Sequence, residues 1–68
     1  MLSGREVCAI LARHGFAPVR QRSSHIIMQG SARGRSVTVP VPDHREVKVG
    51  TLRSIIRQSG IPRSEFES

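Results

Sequence analysis

The stretch from Arg20 to His25, with the sequence RQRSSH, holds the side chains of this chain that are best suited to chemistry. Arginine binds phosphate oxygens through paired hydrogen bonds, and serine hydroxyls and turn amides can add further donors. The imidazole of a histidine can accept a proton at neutral pH. Metal-free RNA cleavage needs these groups, because a base must deprotonate the ribose 2′-hydroxyl while fixed cations stabilise the charge on the attacked phosphate. The candidate phosphate ligands are Arg20, Arg22, Ser23 and Ser24, and the candidate base is His25. The alternative is a solvated hairpin turn whose basic residues only keep the protein soluble.

The composition also favours a phosphate ligand. The chain has 11 Lys and Arg against 5 Asp and Glu, a formal net charge of +6, and Lys48 is its one lysine. A bias toward arginine is typical of bidentate phosphate recognition and of stacking on bases. There is no apolar run of about 18 residues and no signal-peptide pattern, so we expect a cytoplasmic protein that does not span a membrane.

Length and cysteine content limit the number of domains and the kinds of cross-link or metal site that the chain can have. We expect 68 residues to form a single domain, residues 1–68, with a thin core. The single cysteine, Cys8, excludes an internal disulfide, and the absence of a Cys-x-x-Cys motif argues against a structural zinc site. Cys8 lies beside an apolar helix face, which favours a packing role over a reactive thiol. We therefore expect neither a metal ion nor a cofactor.

The elements that position the candidate site begin with a helix from Ser3 to His14. Ser3 and Glu6 have the spacing of a capping box, and Gly15 followed by Phe16 indicates a left-handed C-terminal cap. His14 lies on the apolar stripe near the negative end of the helix dipole, so we expect it to pack and cap rather than to catalyse.

Three strands should follow, at residues 16–21, 25–29 and 35–41, with a loop at residues 30–34. Pro18 suits an edge strand. In the second strand, placing Ile26 and Met28 inward buries two apolar side chains, whereas the opposite phase buries only Ile27. The favoured phase turns His25 outward, where a base can reach its substrate.

Pro40, Pro42, Asp43 and His44 should end the third strand, and a connecting loop at residues 45–49 should lead to a second helix that begins near Gly50. Gly60 and Ile61 repeat the cap pattern of the first helix. Residues 64–66 either form one turn that lays Phe66 on the core or fray. Arg53 and Arg57 are one helical turn apart, and a bound polyanion would relieve their repulsion. They are candidate phosphate contacts or ordinary solvated arginines.

The predicted order is helix, three strands, helix. We therefore predict an α+β fold in which a three-stranded antiparallel sheet carries both helices on one face.

Taken together, these segments resemble the HicA family of bacterial toxins, also called YcfA-like proteins. The resemblance covers nearly the whole chain, from Gly4 to Phe66. The residues that carry it are Arg20-Gln21, Ser24-His25, residues 37–40 (VTVP), His44, residues 50–55 (GTLRSI) and Gly60. It implies a double-stranded-RNA-binding-domain-like fold, cleavage of mRNA that arrests growth, and a type II toxin–antitoxin system in which a HicB-type antitoxin neutralises the toxin. The family's essential histidine matches His25.

Ser23 departs from the family, which usually reads Gly-Ser-His at this point. If the glycine provides a positive φ angle, Ser23 carries strain, and if it allows close approach to phosphate, Ser23 obstructs that approach. A serine hydroxyl can instead replace a lost contact. His44 also belongs to the resemblance, and its setting between Pro42-Asp43 and Arg45 favours a loop-ordering role, with Asp43 or the local backbone as partner, over that of general acid. The proton donor to the leaving 5′-oxygen stays open among water, His44 and His25.

The leading hypothesis is thus a metal-independent endoribonuclease with mRNA as substrate and His25 as base. A non-catalytic RNA-binding module would need the basic surface but not His25. A scaffold that only binds its protein partner would need neither.

Overall fold

The computed structural model describes residues 1–67 as two helices and a three-stranded sheet, followed by a short 3₁₀ turn. The elements in chain order are α1 (Gly4–Arg13), β1 (Ala17–Arg22), β2 (His25–Ala32), β3 (Arg35–Pro42), α2 (Val49–Ser59) and the 3₁₀ helix Arg63–Phe66. The sheet is antiparallel throughout, with the strand order β1-β2-β3. This confirms the predicted α+β fold and its element order.

Both ends of α1 follow the predicted capping. The Ser3 hydroxyl accepts a hydrogen bond from the Glu6 amide at 3.1 Å, and the Ser3 amide donates to Glu6 Oε1 at 2.8 Å. The bond from the Ser3 amide to the Glu6 carboxylate, to which the Ser3 hydroxyl adds, holds the pKa of Glu6 below its ordinary value. At the other end Gly15 has a φ of +89°, and the Phe16 amide donates to the Leu11 carbonyl at 3.1 Å. The helix is therefore fixed at both termini by local sequence.

The strand β2 is longer than predicted. Residues 30–32 continue it, and only Arg33 and Gly34 form the turn to β3, so the predicted loop at residues 30–34 is wrong. Gly30 packs directly against the ring of Phe16. A Cβ atom at this position would be 2.5 Å from Phe16 Cγ, so a larger residue would not fit. The glycine therefore marks close packing inside a strand and not a loop.

The strand β3 runs through both of its prolines and ends at Pro42. The predicted end of the strand is confirmed at Asp43 and His44, but the two prolines themselves do not break it, since β3 is an edge strand and an edge tolerates residues without an amide hydrogen. The following loop is also less open than predicted: Val47 is 2% exposed, and its amide donates to the Leu2 carbonyl at 2.8 Å. This contact holds the chain leading to α2 against the start of α1.

The second helix ends at a glycine cap that differs in detail from that of α1. Gly60 has a φ of +73°, and its amide donates to the Ile56 carbonyl. The Ile61 amide, however, donates to the hydroxyl of the buried Ser59 at 3.2 Å and not to a helix carbonyl. The predicted glycine cap is confirmed, with a serine side chain completing it.

One cluster of buried side chains joins both helices to one face of the sheet. It includes Val7, Leu11, Phe16, Met28, Val39, Val41, Val47, Ile55, Ile61 and Phe66. Phe66 is buried, so the last turn lies on the core, as the first of the two predicted alternatives required. His14 meets Glu65 of that turn, with 3.1 Å between Nε2 and Oε1. Neither helix of residues 1–67 has the length and apolar character needed to cross a membrane.

Candidate active site

The turn between β1 and β2 positions the candidate base. Arg22 ends β1, His25 begins β2, and the two residues are direct cross-strand partners, so Ser23 and Ser24 form a two-residue turn. Ser23 has a φ of +53°, whereas Ser24 does not have a positive φ. That sign pattern is the one of a type II′ turn, whose first central position strongly favours glycine. Ser23 therefore occupies a position of positive φ, which is the first of the two alternatives that its departure from the family left open.

Two backbone hydrogen bonds connect the segment after β3 to this turn and to the start of α1. The Asp43 amide donates to the Ser24 carbonyl at 2.7 Å, and the Gly4 amide donates to the His44 carbonyl at 2.8 Å. Gly4 packs so closely on the chain after β3 that a Cβ atom there would overlap the Pro42 carbonyl oxygen. The start of α1, the end of β3 and the turn before His25 are thus held together.

Cross-strand pairing brings three of the predicted site residues onto one face of the sheet. Direct partners in antiparallel strands share a face, and the register pairs Arg22 with His25 and Arg20 with Ile27. The helices pack on the opposite face, which carries Met28. Arg20, Arg22 and His25 are all exposed, on a face that no helix of residues 1–67 covers. The predicted outward orientation of His25 is confirmed.

Ile27 lies at the centre of this open face and is buried, contrary to the simple two-face expectation. It is only 7% exposed, and its partners in the neighbouring strands are Arg20 and Pro40. Ile26, on the helix face, is half-buried against the core. The aliphatic stem of an arginine can cover an apolar neighbour while its guanidinium group remains in water. Arg20 is therefore in register to cover Ile27 with its stem and to keep its charge accessible.

The open face carries positive charge without compensating carboxylates. The sequence contains no Asp or Glu between Val7 and Pro42. Within residues 1–67 the salt bridges are Arg5–Asp43 at 3.3 Å and His14–Glu65 at 3.1 Å, and neither involves the sheet. The guanidinium groups of Arg20 and Arg22 are thus available for an anionic ligand.

Asp43, one of the two partners expected for His44, does not pair with its side chain. His44 is exposed, and the Asp43 carboxylate contacts Arg5 instead. The loop is ordered by the backbone, through the His44 carbonyl and the Asp43 amide. His44 follows two residues after Pro42, which is the cross-strand partner of His25.

Arg53 and Arg57 are not brought together with His25. Both are exposed on α2, which packs on the face of the sheet opposite to the candidate base. Arg57 lies beside Arg33 and Arg35 in a groove at the far end of the sheet. Arg53 and Arg57 would therefore contact a different part of a ligand from the part that lies at His25.

A comparison with protein families decides the affiliation of the chain. Residues 4–61 match the model of the HicA toxin of bacterial toxin–antitoxin systems. The chain belongs to the HicA toxin family. The matched region contains the turn from Arg20 to His25, the sheet and α2, and the family implies an antitoxin as partner. Searches of curated proteins and of solved structures gave no significant match.

The cysteine of this HicA toxin lies in a packed environment, and its other potential ligand side chains are dispersed. Cys8 packs against the core, half-buried, in a groove between α1 and the first two strands. Burial raises the pKa of its thiol, and the charge of Asp43 adds to the effect, so the neutral form is favoured. The predicted packing role of Cys8 is confirmed. Within residues 1–67 no three His, Cys, Asp or Glu side chains are grouped as metal ligands would be.

Sequence reasoning missed Arg33 and Arg35. The two glycines at positions 30 and 34 placed Arg33 in a predicted loop, and Arg35 was placed at the start of the third strand without a role. The usable signal was Arg33-Gly34, since an Xaa-Gly pair between two alternating strands is typical of a two-residue hairpin turn. A two-residue turn at this position fixes the register of β3 and pairs Arg35 with Ala32.

Proposed function

We propose that this HicA toxin is an mRNA interferase, an endoribonuclease that cleaves mRNA without a metal ion and uses His25 as its catalytic base. The observation that carries the proposal is the pairing of His25 with Arg22 on an open sheet face that contains no carboxylate. Cleavage of mRNA arrests growth by removing the templates of translation. The proposed activity requires the cytoplasm, where mRNA is translated.

In the proposed reaction His25 removes the proton from a ribose 2′-hydroxyl. The 2′-oxygen attacks the adjacent phosphorus, the bond from phosphorus to the 5′-oxygen breaks, and a 2′,3′-cyclic phosphate forms. Arg20 and Arg22 stabilise the extra negative charge of the transition state. The protonated His25 can return its proton to the leaving 5′-oxygen, and water and His44 are the alternative donors. Ser23 and Ser24 contribute hydroxyl or amide donors to the phosphate.

The surface favours recognition of the RNA backbone over stacking of its bases. The chain has no Trp or Tyr, and both phenylalanines, Phe16 and Phe66, are buried in the core. Aromatic side chains that accept unstacked bases are therefore absent from the surface of residues 1–67 apart from the histidine rings. We infer that phosphate and 2′-hydroxyl contacts dominate binding, as in the double-stranded-RNA-binding-like fold that the resemblance implies. Arg53 and Arg57 supply phosphate contacts away from the scissile bond.

The antitoxin, of the HicB type, is proposed to cover the face that presents Arg20, Arg22 and His25. An acidic partner would occupy the phosphate-binding donors and associate quickly through charge steering. It would also stabilise a toxin with a thin core, since a ligand at about 1,000 times its dissociation constant adds roughly 4 kcal/mol. Saturating antitoxin should therefore prevent RNA binding and shift the His25 imidazole resonances in NMR. Unchanged RNA binding and unshifted resonances would mean that inhibition acts from a remote surface.

The substitution His25→Ala tests the catalytic assignment. Because His25 is exposed, the variant should melt at the temperature of the wild type while losing RNA cleavage and growth arrest. His14→Ala is the matched control, since it removes an imidazole that contacts Glu65 and should leave cleavage intact. Full cleavage by a folded His25→Ala protein would refute the base. RNA binding without cleavage by the wild type would indicate the non-catalytic binding module instead.

A further inference from the structure

A second basic site lies at the end of the sheet opposite to His25. The turn between β2 and β3 and the last turn of α2 form a groove there, whose charged side chains are Arg33, Arg35 and Arg57. Ser36 and Gln58 are among its other lining residues, and no carboxylate lines it. Three arginines from two separate parts of the chain thus converge on one surface.

The arginines of this groove have no partner that would explain their proximity. None of them forms a salt bridge with another residue of the range 1–67. Like charges held close together repel, and a bound phosphate would remove that cost.

The backbone of Arg33 gives an independent indication. Arg33 and Ser23 are the two residues other than glycine with a positive φ within residues 1–67, and Arg33 has a φ of +55°. Gly34, the second residue of the same turn, has a φ of +76°, so the turn has the sign pattern of type I′, which favours Asn, Asp or Gly at both positions. Strained residues are concentrated at functional sites. An arginine in this position is explained if its guanidinium group binds a ligand.

The distance to His25 defines the size of that ligand. His25 and Ala32 are the first and last residues of β2, and seven steps of about 3.3 Å separate them by about 23 Å. The molecule measures 31 × 27 × 19 Å, so this separation is a large part of its greatest dimension. The groove lies on the helix side of the sheet, because Arg35 pairs with Ala32 and Arg57 belongs to α2, so a ligand that reaches both sites must pass around the edge of the sheet. A single nucleotide cannot reach both sites, whereas a polynucleotide can.

We propose that Arg33, Arg35 and Arg57 form a second phosphate-binding site, which holds the RNA at a distance from the scissile phosphate. The inference rests on the proposed function in that its ligand is RNA, but it assigns binding to a surface remote from His25. The groove raises affinity for long RNA and takes no part in the cleavage step.

The test removes the two hairpin arginines in the double variant Arg33→Gly/Arg35→Ala, in which glycine suits the positive φ and preserves the fold. The background is His25→Ala, so that RNA binding can be measured by fluorescence anisotropy without cleavage. Neutralising one phosphate contributes about 0.7 to the salt slope of single-strand binding, so the double variant should lose about 1.4 of that slope. Its affinity for a long RNA should fall about tenfold or more. Arg13→Ala is the control, because Arg13 shares its surface with Glu6, Glu65 and Glu67.

Cleavage kinetics separate the two sites. With His25 present, the double variant should raise the KM for long RNA and leave its kcat unchanged, and it should cleave a dinucleotide as the wild type does. An unaltered salt slope and affinity would overturn the second site, as would a variant that binds RNA normally but loses affinity for the antitoxin. A wild type that binds RNA without cleaving it would refute the proposed function instead, and the salt slopes would still decide on the groove.

Discussion

Replacing Ser23 with glycine should stabilise the protein, and it tests how the turn before His25 is built. Ser23 has a φ of +53°. The left-handed conformation costs a residue with a Cβ atom roughly 1–2 kcal/mol, and glycine escapes that cost. Glycine in turn gives the unfolded chain additional freedom worth about 0.4–1 kcal/mol. The difference predicts a net stabilisation of about 0.8 kcal/mol, which raises the melting temperature of a domain of this size by about 3–6 °C.

Little else should change in the Ser23→Gly variant. The Ser23 side chain is exposed and forms no hydrogen bond within residues 1–67, while the bond that fastens the turn uses the Ser24 carbonyl. Thermal unfolding followed by circular dichroism measures the effect. Ser24→Gly is the control, since Ser24 lacks a positive φ and its replacement should lower stability by about 0.4–1 kcal/mol. Arg33→Gly, at a φ of +55°, should behave like Ser23→Gly.

A Ser23→Gly protein that melts at or below the temperature of the wild type would refute this account of the turn. The same variant separates two views of the active site. Faster cleavage would show that strain or obstruction at Ser23 limits the wild type. Slower cleavage in a more stable protein would show that the Ser23 hydroxyl has become a phosphate donor.

Three further predictions concern the reaction and the fold. Cleavage should survive excess EDTA and yield 2′,3′-cyclic or 3′-phosphate ends, whereas activity that returns only with Mg²⁺ or Mn²⁺ would mean that a metal takes part. The lowered pKa of Glu6 means that its contribution to stability is present above the unfolded-state pKa and is lost as the pH falls through the folded-state pKa. Glu6→Gln should therefore weaken the acid dependence of urea unfolding, and an unchanged dependence would contradict the capping role. Gly30→Ala should lower the free energy of unfolding by about 1–3 kcal/mol, because its Cβ atom would lie 2.5 Å from the Phe16 ring. Gly50→Ala is the control and should not destabilise the protein, since there is open space around Gly50. Equal melting temperatures of the two variants would contradict this prediction.

The parts of the fold that were predicted correctly are those determined by neighbouring residues. The capping box of α1 involves Ser3 and Glu6, three residues apart, and the caps at Gly15 and Gly60 depend on one or two following residues. The errors fall where a distant contact decides. Gly30 continues a strand because Phe16 packs over it, and Val47 leaves its loop for the core because it meets Leu2. Neither contact can be predicted from the residues that neighbour Gly30 or Val47 in the sequence.

In the candidate site, too, the features set by neighbouring residues were predicted and those set by distant contacts were not. The turn residues and the outward direction of His25 followed from alternation along β2, a local pattern that the structure confirms. The surroundings of Arg57 did not follow from the sequence, because its neighbouring arginines lie at a turn whose bounds were predicted wrongly. The groove that Arg57 shares with Arg33 and Arg35 became visible only once the register of β3 was known. Alternation assigns faces within a strand but not the neighbours of a helix residue.

The distribution of charge matters more for binding than its total. All five carboxylates lie outside the three strands, at Glu6, Asp43, Glu46, Glu65 and Glu67. Two of them already pair with side chains of the helical layer or its flank, Asp43 with Arg5 and Glu65 with His14. A net charge of +6 spread evenly would attract RNA to every surface, whereas this arrangement concentrates the positive potential on the strands and their two turns. Under the proposed function, an approaching polyanion is therefore steered to the face that holds His25. An acidic antitoxin would be steered to the same face, which makes direct competition the simplest mode of inhibition.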